Sequence, residues 1–176
     1  DANLLAPDRP TPEVIWSDPV GIGPITLPPI YAYPGRRALA ELYVSDGSRV
    51  HALDANTGAV IWTHDFEAEI KGLAVNEDYV FIVGDIQMRM VGREQNDRRW
   101  QVAVTGGLVG GPLVTDRILL LVTQSGGVFL FNITDGGTLG TISIPSSPGV
   151  TNGAAVSGLR IFAASGNSVY AFQGNP

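Results

Sequence analysis

The sequence predicts an all-β repeat protein, and three observations lead to this prediction. Short apolar runs alternate with turns along the 176 residues, and glycine and proline are frequent, with 22 and 12 residues. Inside the runs, apolar residues recur with the period of two that half-buried strands require. A unit of about 40 residues returns along the chain. The 3.6-residue period of an amphipathic helix is not visible.

The repeat unit is clearest in residues 42–62, which read as strand, glycine turn, strand, Asn-Thr-Gly turn and strand. Its first strand returns at 79–84, 118–122 and 159–163. A glycine followed by small or apolar residues precedes each copy, as crowded innermost strands require; these glycines are Gly23, Gly72, Gly111 and Gly153. We therefore predict a β-propeller of about four four-stranded blades. A β-sandwich is the alternative.

The turn of the first copy carries a specific motif. Residues 52–62 follow the pattern Ala-x-Asp-x-x-Thr-Gly-x-x-x-Trp, which resembles the docking motif of quinoprotein-like (PQQ-type, BamB-type) β-propeller repeats. The resemblance implies that these residues lock neighbouring blades together. The implied docking residues are Ala52, Asp54, Thr57, Gly58 and Trp62, with Trp100 and Trp16 in related segments. The third copy has Leu139 near the tryptophan position, so the full motif occurs once.

The two ends of the chain predict how the propeller is completed. The last copy stops at Phe172, before a fourth strand, while residues 13–20 resemble the strands around Trp62 and Trp100. We expect this N-terminal strand to complete the last blade. Residues 13–174 then form the propeller domain, and residues 1–12 form an extended proline-rich tail. Three assemblies stay open: a ring closed in one chain, an eight-bladed homodimer, and a half-ring packed on a partner.

One segment is the best candidate for function. Residues 27–39 have no counterpart in the third copy, and we interpret them as a loop insertion. The insertion is rich in proline, tyrosine and arginine, and tyrosine and arginine dominate interface hot spots. The predicted partner-binding residues are Pro29, Tyr31, Tyr33, Arg36 and Arg37. The alternative is a loop that only covers a blade edge. The mixed-charge turn at 92–99 is a second candidate, with a solvated hairpin as its alternative.

Other groups that suggest chemistry have simpler explanations. His51 and His64 lack a known metal-ligand spacing and are expected to pack between blades or lie at the surface. Asp65, Glu67 and Glu69 alternate along one stretch, where a calcium site competes with a solvated face. The glycine-rich segment 106–111 lacks the Lys-Ser/Thr of a phosphate loop and is expected to be an inter-blade turn. No catalytic residue, metal or cofactor is predicted.

Composition narrows the partners. Cysteine is absent, which excludes disulfides, thiolate metal ligands and cysteine nucleophiles. The net charge is −6, with 17 acidic against 11 basic residues, so no nucleic-acid partner is predicted. The longest clean apolar run, residues 118–122, is far too short to span a membrane.

These points lead to one functional expectation. The chain is expected to be a non-enzymatic interaction scaffold or accessory subunit of a membrane-associated complex, with a protein partner, in the periplasm or outside the cell. Membrane attachment would come from a segment outside this sequence. Two alternatives stay open: a quinoprotein-type half-ring that binds PQQ or calcium on dimerisation, and a propeller that binds a small ligand or glycan through tyrosine and tryptophan.

Overall fold

The computed structural model describes residues 14–16, 18–34, 39–94, 96–144, 153–158 and 160–173. These residues form fifteen β-strands in four antiparallel sheets. The described part of the chain contains no helix of the length and apolarity needed to cross a membrane. The prediction of an all-β, propeller-type repeat fold with about four blades is confirmed.

Each sheet is built from consecutive strands, because short turns join antiparallel neighbours directly. The first sheet contains β1 (Ile30–Ala32), β2 (Glu41–Ser45), β3 (Arg49–Asp54) and β4 (Val60–Asp65). The second contains β5 (Ile70–Val75), β6 (Tyr79–Gly84), β7 (Gln87–Gly92) and β8 (Arg98–Ala103). The third contains β9 (Leu113–Val114), β10 (Ile118–Val122), β11 (Gly127–Asn132) and β12 (Thr138–Ser143). The fourth contains β13 (Ala154–Ser157), β14 (Arg160–Ser165) and β15 (Ser168–Gln173).

The hydrophobic core consists of three clusters, one between each pair of successive sheets. Each cluster contains residues from both sheets. Examples are Tyr43 and Val80 in the first cluster, Phe81 and Leu119 in the second, and Leu120 and Ala163 in the third. The inner strands β1, β5, β9 and β13 contact one another in the same sequence. The four sheets therefore stack as blades in chain order. No such cluster joins the fourth blade to the first within the described ranges, so there the blades form an open array.

The prediction that the N-terminal strand completes the last blade is wrong for the residues that the structure describes there. The fourth sheet has three strands, and residues 14–16 and 18–20 belong to no sheet. Instead, Trp16 docks on the first blade. Its Nε1 donates to the carbonyl oxygen of Ala55 at 3.1 Å, and a Cβ at Gly58 would lie 3.0 Å from its ring. Residues 13–20 resemble the segment around Trp62 because both contain a docking tryptophan. This docking contact does not require that the segment pairs in a sheet.

The glycine that precedes each repeat copy locates the inner strand of every blade except the first. A Cβ at Gly72 would lie 2.5 Å from Cδ of Pro112, so the second and third blades approach through a bare backbone as predicted. In the first blade, however, the inner strand is Ile30–Ala32 rather than the segment after Gly23. Part of the 27–39 segment is therefore strand β1, and the connection from β1 to β2 covers residues 33–40.

Two glycines at the outer edge of the third blade give a matched test of the packing. Gly136 has a φ of +73°, and a Cβ there would lie 2.9 Å from Val102 and 3.0 Å from the ring of Trp100. A Cβ added at Gly140 would have no heavy atom within 4 Å. We expect Gly136→Ala to lower the free energy of unfolding by about 1–3 kcal/mol. Gly140→Ala should stay within about 0.5 kcal/mol of the wild type. Urea denaturation measures both, and equal losses would contradict this packing.

Candidate interaction surface

An exposed aromatic pair lies where the inner strand of the first blade leaves its sheet. The alternation of strand faces turns Pro29, Tyr31 and Tyr33 outward, while Ala32 is buried. The side chains of Tyr31 and Tyr33 are 52% and 78% exposed. Their ring centroids are 5.1 Å apart with an interplanar angle of 88°, an edge-to-face arrangement that aromatic pairs favour. The structure thus brings together three of the five predicted partner-binding residues.

The remaining two, Arg36 and Arg37, lie outside the described residues. They belong to the 33–40 connection, which is longer than its counterparts 76–78 and 115–117 in the next two blades. Because the strands are antiparallel, this connection shares one end of the array with the turns that follow β3, β7 and β11. A bond from the amide of Ala55 to the carbonyl of Ala40, 3.0 Å long, joins it to the first of these turns.

A buried arginine from the second blade holds the base of this connection. The Arg93 side chain is 1% exposed. Its Nε donates to Oε2 of Glu41 at 2.9 Å and to the hydroxyl of Tyr43 at 3.1 Å, and its Nη2 lies 2.7 Å from the same carboxylate oxygen. The Nη2 group also donates to the carbonyl of Tyr33 at 3.3 Å. The backbone of the exposed tyrosine is therefore fixed to a buried ion pair.

The other groups around Arg93 complete this network. Its Nη1 donates to the carbonyls of Asn76 and Glu77 at 2.9 and 2.8 Å. The Tyr43 hydroxyl donates to the Glu41 carboxylate. Burial and the neighbouring carboxylate raise the pKa of Tyr43 above its usual range, which keeps that hydroxyl a donor. One side chain thus connects the β1–β2 connection, strand β2 and the β5–β6 turn.

Sequence reasoning missed Arg93, because residues 92–99 resemble an exposed charged hairpin. The hairpin is in fact partly internal. Asn96 donates through Nδ2 to the carbonyl of Thr63 at 2.8 Å, and its Oδ1 lies 2.8 Å from Nδ1 of His64. In the sequence, Arg93 differs from its exposed neighbours only in its position. It follows strand β7 directly, where the first copy has the small Ala55.

The motif residues predicted to dock the blades lie between blades or in the turns. Asp54 Oδ1 accepts bonds from the amides of Asn56 and Thr57, and Gly58 has a φ of +74°. Trp62 and Trp100 each donate Nε1 to a main-chain carbonyl of the following blade. The acceptors are Arg93 at 2.7 Å for Trp62 and Ile133 at 2.8 Å for Trp100. Ala52 is fully buried in the cluster between the first two blades.

The remaining titratable candidates are engaged within the protein. His51 is buried and bonds to Thr63 and Asp46. The acidic stretch is divided between two cations: Glu67 pairs with Arg89 at 2.9 Å, and Glu69 pairs with Lys71 at 2.7 Å. Over the ranges that the structure describes, no group of three or more His, Cys, Asp or Glu residues could hold a metal ion.

The family of this chain follows from its similarity to known proteins. A family model described as outer membrane protein assembly factor BamB matches residues 1–175. The chain belongs to the BamB family. BamB of Yersinia pestis is 25% identical over an alignment of 172 positions, which covers 84% of this chain and 43% of that protein. This BamB-family chain therefore spans less than half the length of the curated relative.

Solved structures show the same fold. BamB from Moraxella catarrhalis superposes with a TM-score of 0.63 at 18% identity, covering 77% of this chain and 46% of that one. The computationally designed Ika4 protein superposes with a TM-score of 0.72 at 14% identity, covering 92% of this chain and 98% of that one. At these identities the likeness concerns the fold alone.

Removing the Arg93 side chain should be costly. Arg93→Ala removes the buried guanidinium that bonds to the Glu41 carboxylate and to three main-chain carbonyls, and we expect a loss of about 3–5 kcal/mol in the free energy of unfolding. Arg99→Ala is the matched control, because that side chain is 49% exposed in its pair with Asp97. It should cost less than about 1 kcal/mol. Urea denaturation of both variants measures these losses in the free energy of unfolding. Similar losses in the two variants would show that the buried Arg93 does not hold the connection.

His64 should make stability depend on pH. Burial is the main cause that lowers its pKa. Its Nε2 is buried and has no hydrogen-bond partner within the described structure, so charging the ring is unfavourable. The unfolded state then binds the proton first, and stability should fall as pH decreases below about 6.5 until the lower folded pKa is passed. A titration of His64 by NMR should give a midpoint below 6.5, and His64→Gln should remove this part of the pH dependence. A midpoint at or above 6.5 would refute this account.

Proposed function

We propose that this BamB-family chain is a non-enzymatic interaction module of a membrane-associated assembly complex in the periplasm, and that it contacts a protein partner through Tyr31 and Tyr33. The observation that carries the proposal is the exposed tyrosine pair on a connection held by a buried ion pair. Pro29 extends the same face. Arg36 and Arg37, in the same connection, are proposed to add cationic contacts.

The physical case rests on preorganisation. Large aromatic side chains lose apolar exposure on binding and dominate interface hot spots. Binding normally costs free energy to order the loop that makes the contact. Here the carbonyl of Tyr33 is already bonded to Arg93, and the two rings already pack edge to face. Much of the ordering cost is therefore met during folding rather than during binding.

The matching family and a relative in it support a protein partner in a membrane-associated complex. The matching family and the relative from Yersinia pestis are described as outer membrane protein assembly factors. An exposed aromatic face on a repeat scaffold would suit a role in which the chain contacts another protein. We accordingly propose a component of the outer-membrane protein assembly machinery as the partner.

Site-specific cross-linking tests the surface. A photo-reactive phenylalanine analogue at Tyr31 or Tyr33 should form a cross-link, in cells of the source bacterium, to a component of outer-membrane protein assembly identified by mass spectrometry. Ile86 is the matched control, since it is 72% exposed and lies in the β6–β7 connection at the opposite end of the array. Cross-links of equal yield and identity from Ile86 would argue against a dedicated surface.

A loss-of-binding variant gives the second measurement. Tyr31→Ala combined with Tyr33→Ala should weaken capture of that cross-linked partner by at least about tenfold, as expected for two hot-spot aromatics. Both side chains are mostly exposed, so the free energy of unfolding should change by less than about 1 kcal/mol. Undiminished capture by a folded double variant would remove these tyrosines from the interface.

A further inference from the structure

The third blade lacks the tryptophan that the first two blades carry at one position. In each of the first three blades, three paired residues form a row across the three outer strands, and a β-bulge follows the middle residue of the row. The rows are therefore equivalent. They are Tyr43, Ala52 and Trp62 in the first blade, Phe81, Met90 and Trp100 in the second, and Leu120, Leu130 and Gly140 in the third. Gly140, rather than Leu139, stands where the tryptophan stands elsewhere.

In the first two blades the tryptophan fills the outer part of the junction with the next blade. The Trp62 ring lies 5.7 Å from the Tyr43 ring, and the Trp100 ring lies 6.1 Å from the Phe81 ring, between centroids. Each indole also donates its Nε1 to the next blade. A glycine at the equivalent position supplies neither the ring nor the donor, and a Cβ at Gly140 would meet no atom within 4 Å.

An apolar cleft of about 400 Å³ occupies the corresponding place between the third and fourth blades. On the side of the third blade it is lined by Leu120, Leu130 and Ile142, and on the side of the fourth blade by Val156, Ile161 and Phe172. Leu120 and Leu130 are the other two members of the row that ends at Gly140. The cleft is therefore the space into which a side chain at position 140 would project.

The opposite wall supports the same assignment. By strand position, Ile161 in β14 and Phe172 in β15 correspond to Val80 in β6 and Val91 in β7. Val80 and Val91 belong to the cluster against which Trp62 packs. Among the described residues, the cleft thus has both apolar walls of a tryptophan site and no ring between them.

We propose that this cleft is a binding site for the indole ring of a tryptophan carried by another polypeptide. The occupant is indicated by the protein itself, since Trp62 and Trp100 fill the two equivalent spaces. The size agrees, because a cavity of about 150 Å³ already holds a benzene ring, and 400 Å³ leaves room for an indole. Open apolar surface of this kind commonly marks a binding site.

The position of the cleft suits a ligand that arrives on a chain. Its rim is formed by Thr115, Asp116 and Arg117 in the β9–β10 connection and by Gly158 after β13. Antiparallel order puts these connections at the same end of the array as residues 33–40. The cleft and the tyrosine pair therefore face one side, although the proposal for the cleft does not rest on Tyr31 or Tyr33.

The test uses N-acetyltryptophanamide, an indole flanked by peptide bonds, as the probe. Added to the isotope-labelled chain, it should shift the amide signals of Val156, Gly158 and Phe172 with a dissociation constant of about 1 mM or tighter. Gly140→Trp should fill the cleft, abolish these shifts and raise the unfolding temperature. Thr141→Trp is the matched control, because it adds the same side chain to the opposite face of β12. It should leave both binding and unfolding temperature close to wild type.

Three outcomes would overturn the proposal. Unchanged amide signals in the wild type exclude an indole site, whatever the variants do. Equal loss of binding in Gly140→Trp and Thr141→Trp shows that the probe binds elsewhere. Binding of free indole without binding of N-acetyltryptophanamide makes the cleft a small-molecule pocket rather than a site for a partner's tryptophan. None of these outcomes affects the cross-linking test of Tyr31 and Tyr33, so the two proposals fail separately.

Discussion

The packing of the first three blades depends on one interaction, the bond from a tryptophan Nε1 to a main-chain carbonyl in the next repeat. Trp16, Trp62 and Trp100 all make it. Each turn that accepts such a bond has a residue with a left-handed backbone at the same position, which is Gly58, Asn96 or Gly136. Gly58 and Gly136 each lie close to a tryptophan ring. Because Trp62 and Trp100 lie on strands and their acceptors lie in turns of the next blade, these two contacts fix the separation of successive sheets.

The exposed surface depends on this same contact through Arg93. The carbonyl of Arg93 accepts the bond from Trp62, while its guanidinium reaches back to Glu41 and Tyr33. One residue therefore couples the docking of two blades to the position of the exposed tyrosines. A buried charge is costly unless it is fully paired, and Arg93 is bonded through all three of its nitrogen groups. The cost of burial is thus offset by a network that also orders a functional loop.

The third junction shows how two blades pack when the docking tryptophan is absent. With Gly140 in the tryptophan position, the third and fourth blades are held by their inner residues, such as Leu120 and Ala163, and the outer part of the junction stays open. Deviations from a repeat rule are informative, because natural proteins keep them at sites that serve another purpose. The same end of the array carries the long β1–β2 connection, so the two departures from the repeat lie on one side of the molecule.

The sequence by itself determined the outer strands and the number of blades, because these depend on period-two patterns and on turns encoded by adjacent residues. The docking role of Trp62 and Trp100 was implied by the resemblance of the turn motif to a known family. The sequence also selected Tyr31 and Tyr33, although Tyr31 lies in strand β1, which has counterparts in the other blades. The assignment of Gly140 rather than Leu139 to the tryptophan position is already set by spacing, because Gly140 follows Gly136 by four residues as Trp62 follows Gly58. Only the tertiary structure decided that Arg93 is buried and that Trp16 docks on the first blade instead of extending the last. The physical reason is that burial and docking depend on which sheets stack against each other. Neither of these is visible in the local pattern of a single strand.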